Sequence, residues 1–162
     1  ISLNDIRIRT TLRPGDIGYV IYLHGDLYSR EYQYGISFEA YVAGGFYEFY
    51  QQYDAQKDGV WICEDQDRIV GFLLLMHRGP AAQLRYFLIH PDYRGVGLGK
   101  RLMEMYMDFL RRKKYKSSYL LTTHELPAAA ALYRKHGFVL SEEKESTAFG
   151  KPVREQKYEL LL

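Results

Sequence analysis

Arg94-Gly95-Val96-Gly97-Leu98-Gly99-Lys100 lies between a run of strand formers, Leu84 to Ile89, and a segment, Gly97 to Lys113, with helical periodicity. Leu98, Leu102, Met105, Phe109 and Leu110 mark that period. Glycines at a helix start let the backbone approach a ligand closely, and the first amides of the helix have no partners within it. A diphosphate is the guest such a loop suits. Two commoner nucleotide loops fail on spacing. A Walker loop would need glycine at position 94 and Ser or Thr after Lys100, where this chain has Arg94 and Arg101. A dinucleotide fingerprint counted from Gly95 would need glycine where Lys100 stands.

Upstream, Ile6, Ile8 and Thr10 alternate with Arg7 and Arg9 as in a half-buried strand ended by Pro14-Gly15. A helix capped by Asp16 follows, with Ile17, Val20, Ile21, His24 and Tyr28 on one face. A second helix is expected from an N-cap at Ser37 to Tyr53, bent or split at Gly44-Gly45. Val60 to Glu64 and Ile69 to His77 read as a hairpin turning at Asp65-Gln66-Asp67, and His90-Pro91 stops the Leu84 to Ile89 strand. Downstream come a short strand, Ser118 to Thr123, and a helix, Pro127 to His136, stopped by Gly137. Strands near Val139 to Ser146 and Glu155 to Leu161 finish the chain. The order β-α-α-β-β-β-α-β-α-β-β describes an α/β fold, one mixed sheet flanked by about four helices.

The 162 residues suit a single domain spanning 1–162. A net charge of +2, from 22 basic and 20 acidic residues, gives no field that selects nucleic acid or membrane surfaces. The single cysteine, Cys63, forms no internal disulfide and supplies no metal cluster, so a reducing, cytoplasmic setting is expected. The longest apolar run, Ile69 to Met76, is far short of the ~20 residues a membrane span needs. More than half of the 16 tyrosines crowd between Tyr19 and Tyr53, a composition suited to lining a pocket for a polar or cationic small molecule.

Arg94-x-x-Gly97-x-Gly99 resembles the Arg/Gln-x-x-Gly-x-Gly/Ala signature of the GNAT superfamily of N-acetyltransferases, and Leu84 through Leu102 resembles that family's central motif. Leu132-Tyr133-x-x-x-Gly137-Phe138 resembles its second element. The resemblance covers nearly the whole chain. It implies a mostly antiparallel sheet with a splay at the central parallel strands, and transfer of an acetyl group from acetyl-CoA to a primary amine by direct attack in a ternary complex. No metal is implied.

By the same resemblance, the amides of Gly95, Val96, Gly97, Leu98, Gly99 and Lys100 hold the CoA diphosphate, with Arg94 at the loop's entrance. Phe87, Leu88 and Ile89 pair with the pantetheine arm, and an amide there polarises the thioester carbonyl. Thr122 and Thr123 end the strand that splays away. Tyr133 is the expected general acid for the departing thiolate. One departure stands out: members often carry an asparagine seven residues before the motif tyrosine, and this chain has Leu126.

The attacking amine needs a base, and Glu31, among Tyr28, Tyr32 and Tyr34, is the first candidate, with His24, Glu39, His90 and Glu125 competing. A weaker resemblance links Gly15-Asp16-x-Gly18, His24-Gly25-x-Leu27-Tyr28-x-x-Glu31-Tyr32 and Phe38-Glu39 to GNAT domains fused behind winged-helix regulators. It is compatible with an upstream regulatory domain, a homodimer, and an acceptor that is a small molecule or a protein amine. A non-catalytic acyl-CoA sensor is the alternative reading.

Overall fold

The computed structural model describes residues 1–162. Its elements, in chain order, are β1 (Arg7–Arg9), α1 (Asp16–Tyr32), α2 (Ile36–Gln51), β2 (Gly59–Asp65), β3 (Arg68–Arg78), β4 (Ala81–Ile89), α3 (Leu98–Arg112), β5 (Ser117–Thr123), α4 (Pro127–Lys135), β6 (Val139–Ser146) and β7 (Val153–Leu161). One seven-stranded sheet runs β1-β2-β3-β4-β5-β7-β6, so the last strand inserts between β5 and β6. All pairings are antiparallel except β4 with β5. The four helices and the single parallel pair agree with the expectation.

β3 is buried on both faces from Ile69 to Met76, which is why its sequence is a nearly continuous apolar run rather than an alternation. Its turn to β2 puts Gln66 and Asp67 at φ 51° and 66°, the paired left-handed conformation that suits a tight hairpin. Two cores lie on opposite faces of the sheet. One packs α3 and α4 residues, among them Leu98, Leu102, Tyr106 and Tyr133, against Trp61, Leu73 and Leu84. The other packs Val20, Leu23, Phe38 and Phe46 of α1 and α2 against Ile62, Phe72 and Leu74.

Several local expectations are corrected. Asp16 is the first helical residue, not the cap; its carboxylate accepts from the Arg13 amide at 2.6 Å and from both terminal nitrogens of Arg9 at 2.7 and 3.0 Å. The cap of α2 is Gly35 rather than Ser37, and α2 runs through Gly44-Gly45 without a break. The apolar stripe of α3 is rotated toward Met103, Tyr106 and Met107, leaving Met105 and Phe109 half-buried. Tyr106 can be fully buried because its hydroxyl hydrogen-bonds Ser118 Oγ at 2.8 Å. Gly137, at φ 95°, follows α4 as expected.

Two features of β4 shape the cleft at its carboxy-terminal end. Parallel pairing with β5 ends at Leu84↔Leu120, although β4 continues to Ile89 and β5 to Thr123. Beyond Leu84 the strands splay, and peptide groups of β4 that face β5 lose their partner strand. Beside the splay, the register with β3 shifts between Phe72 and Leu74, and Tyr86 takes φ 61°. This bulge places two β4 residues, Tyr86 and Phe87, against Leu73 alone.

Candidate active site

The glycine loop opens α3 beside the splayed end of β4. Gly97 is the N-cap at φ 91° and Gly95 has φ 80°, and a Cβ on either would meet nothing within 4 Å, so their surface toward the cleft is bare backbone. Gly99 is required for a different reason: a Cβ there would stand 3.3 Å from both Ile89 Cδ1 and Leu132 Cδ2. After Arg94, the next residue to donate a backbone hydrogen bond is Arg101, to the Gly97 carbonyl at 3.1 Å. The amides from Gly95 to Lys100 therefore donate to nothing in the chain and meet at the positive end of a helix dipole. That arrangement fits a diphosphate.

A cleft of about 560 Å³ runs from this loop along the splay. Phe87, Leu88 and Ile89 form one wall, and Leu126 with the start of α4 forms the other. Arg94, Gly95, Gly97, Leu98 and Gly99 close its end. Val96 packs its side chain toward the core and Lys100 is exposed, so both reach the cleft region through backbone alone. Leu126 is the N-cap of α4, makes no side-chain capping bond and lines the cleft with an apolar side chain.

A smaller recess of about 120 Å³ adjoins the cleft, and Tyr28, Phe87, Leu126 and Ala129 line both. Tyr133 opens on the recess with its ring 6.1 Å from that of Phe87. Its hydroxyl has no hydrogen-bond partner in the chain, and burial raises its pKa far above the usual phenol value, with the neighbouring phenols of Tyr28, Tyr106 and Tyr158 adding to the rise. Tyr133 is thus a neutral donor throughout the physiological range. Tyr34 hydrogen-bonds Thr123 Oγ1 at 2.6 Å; burial pushes its pKa up to about 12, and the nearby Glu125 carboxylate adds to the rise.

The base candidates separate by their partners. Glu31 lines neither cavity; its carboxylate accepts both terminal nitrogens of Arg94, at 2.6 and 2.8 Å. That ion pair holds it below the usual carboxylate range, which makes it a poorer base. The structure therefore does not bring Glu31 together with Tyr133. His90 is occupied at both nitrogens, accepting from the Asp92 amide and contacting Arg68. Glu39 lines neither cavity. Glu125 lines the cleft: Oε2 accepts from Lys151 Nζ at 2.9 Å, while Oε1 is buried without a partner.

His24 lines the recess, but burial lowers its pKa to about 4, and Nδ1–H donates to the Val20 carbonyl at 2.8 Å. The folded protein holds it neutral while the unfolded chain titrates near 6.5. Its contribution to stability is complete above the unfolded value and is lost as pH falls toward 4. Between pH 7.5 and pH 5 this one residue should cost about 2 kcal/mol of unfolding free energy. Urea denaturation at the two pH values checks this, and His24→Gln should flatten the slope; equal slopes would contradict it.

Arg85 and Tyr86, which line the recess through the bulge, escaped sequence reasoning. No composition signal marks the bulge, because Tyr86 takes a left-handed φ that tyrosine seldom adopts.

The sequence profile of the Acetyltransferase (GNAT) family matches residues 24–138. An uncharacterized N-acetyltransferase, YjgM, of Escherichia coli K12 is 34% identical over 95 residues, covering 56% of this chain and 57% of that protein. The matched segment spans about half the length of the curated relatives it matches. Among solved structures, an acetyltransferase from Streptococcus agalactiae superimposes with a TM-score of 0.75 at 22% identity, covering 99% of this chain and 100% of the other. A GNAT family acetyltransferase from Elizabethkingia anophelis, solved with acetyl-CoA bound, gives 0.67 at 13% identity, covering 98% and 99%. With the family profile matched over residues 24–138 and the glycine loop and Tyr133 in adjoining cavities beside the splay, the chain belongs to the GNAT family of acetyltransferases.

Proposed function

We propose that this chain transfers an acetyl group from acetyl-CoA to a primary amine, by direct attack within a ternary complex. The observation that carries the reading is that the two cavities share Tyr28, Phe87, Leu126 and Ala129 as a common wall, with the Tyr133 hydroxyl on the acceptor side. Donor and acceptor then meet without a covalent enzyme intermediate.

In this reading the unpaired amides from Gly95 to Lys100 take the diphosphate. The freed peptide groups of Phe87 to Ile89 pair with the pantetheine arm, and one amide there stabilises the oxyanion of the tetrahedral intermediate. Tyr133 protonates the departing thiolate. Burial keeps the phenol protonated, so its proton is available when the thiolate departs. Glu125 serves as the base in this reading rather than Glu31, because Lys151 holds only its Oε2 and leaves Oε1 without a partner, whereas Arg94 holds both oxygens of Glu31.

Glu31 instead positions Arg94. Glu31→Gln should leave kcat within about 3-fold of the parent, whereas Glu125→Gln should lower it about 100-fold or more, the usual scale of general-base catalysis. Steady-state rates at saturating acetyl-CoA compare the two, and a larger loss from Glu31→Gln would restore its role as base.

The buried, unpaired Cys63, with its thiol pushed up to about 12 by burial, suits a reducing compartment such as the cytoplasm. The proposal as a whole is tested by incubating the protein with acetyl-CoA and a panel of amines while following free-thiol release. Amine-dependent release is expected. CoA binding without release for any amine would point to the sensor instead.

A further inference from the structure

One charged group in the acceptor recess has no role in the chemistry above. Arg85 lines the recess, its side chain is only 10% exposed, and its guanidinium donates no hydrogen bond within the chain. The nearest carboxylate oxygen, Glu48 Oε1, is 3.6 Å from Nη1 and already accepts from Arg78 at 2.6 Å. Glu48 itself is half-exposed, so two guanidiniums share one solvated counter-charge. The Arg85 guanidinium lies over the Tyr86 ring at 4.8 Å and near the Tyr41 ring at 5.9 Å, which fixes its plane while leaving its donors free. The guanidinium thus stands at the recess with no bonded carboxylate of its own, its donors open to whatever enters.

Two features hold the group in place. The β4 bulge sets Arg85 and Tyr86 side by side against α2. Gly45 then makes room: a Cβ there would stand 1.8 Å from Tyr86 Oη and 2.5 Å from Arg85 Nη2. Of the two glycines expected to bend or split the helix, Gly45 instead gives the Arg85 and Tyr86 side chains their space.

We propose that Arg85 is the acceptor-recognition residue and that the amine acetylated here carries a carboxylate, held by the Arg85 guanidinium while its amino group points toward Tyr133. A recess of about 120 Å³ suits a small amino acid rather than a folded protein's side chain with its backbone. The inference rests on the acetyltransferase reading for the identity of the site, but its binding test does not require turnover.

The experiment is an NMR titration of the CoA-saturated protein with glycine, L-alanine, L-methionine and L-phenylalanine, each paired with the amine lacking its carboxylate, and with spermidine. At least one amino acid should bind about 10- to 100-fold more tightly than its carboxylate-free partner, the scale of a charge-assisted, bidentate pairing. Arg85→Gln should erase that preference while leaving the carboxylate-free amine within about 2-fold. Arg85→Lys, which keeps the charge and loses the fork, should retain part of it, and Gly45→Ala should reduce it with no change of charge. Equal affinity within every pair, or no binding by any amino acid, overturns the proposal. Tightest binding by spermidine overturns it too and moves recognition to Glu155, the carboxylate of the same recess. Carboxylate binding lost on Arg85→Gln, but without thiol release in the parent, would keep Arg85 as the recess's carboxylate-binding residue and sink acetyl transfer.

Discussion

Gly97→Val is expected to weaken CoA binding by at least about 100-fold while the melting temperature stays within about 4 °C of the parent. Gly97 sits at φ 91° as the N-cap of α3, and its Cβ would meet nothing, so the substitution leaves core packing alone and acts on the backbone. A left-handed conformation costs an L-residue roughly 1–2 kcal/mol, and a β-branched one is among the least tolerant. The loop relieves that cost by turning its peptide groups, and the amides that converge on the diphosphate no longer do so. Each charge-assisted hydrogen bond lost is worth about 1.5–3 kcal/mol, so two of them account for the stated drop. Titration calorimetry with CoA and a thermal melt measure both quantities on one sample. Unchanged affinity would mean that the loop's backbone geometry does not hold the donor.

Tyr133→Phe should lower kcat by about 100- to 10,000-fold with CoA affinity unchanged. The hydroxyl has no partner in the chain, so removing it orphans no group and leaves the ring's packing against Phe87, Phe138 and Tyr158 intact. A structural role would show as lost stability; a role in proton transfer shows only in turnover. Because burial holds the phenol neutral, the parent's rate should not fall from tyrosine ionisation anywhere in the physiological pH range. A thiol-release assay that finds Tyr133→Phe at the parent's rate would remove Tyr133 from the chemistry.

The donor half of this site was legible in the chain because its requirements are local. Gly95, Gly97 and Gly99 act through backbone that only glycine permits or through a close approach, and the helix they open declares itself by period. The acceptor half was not legible, because it depends on which residues distant in sequence meet. Glu31 stood among tyrosines and read as the first candidate for the base, yet the fold of α1 carries it to Arg94, sixty-three positions away. Glu125 read as one base candidate among several, and only the fold shows that one of its oxygens is buried without a partner beside the cleft. Arg85 drew no notice within the Leu84 to Ile89 strand; the bulge at Tyr86 and the gap left by Gly45 place it at the recess. Helix caps were misjudged by a residue or two at Asp16 and Ser37 because neighbouring glycines, Gly15 and Gly35, hold the cap positions without any side-chain signal.

The central claim is that unpaired backbone amides at the start of α3 grip a CoA diphosphate, and amide NMR on CoA titration tests it most directly. The largest shifts at saturation should fall on Gly95 through Lys100, with smaller ones at Phe87 to Ile89. Saturable CoA binding that leaves the Gly95 to Lys100 amides unmoved would contradict it.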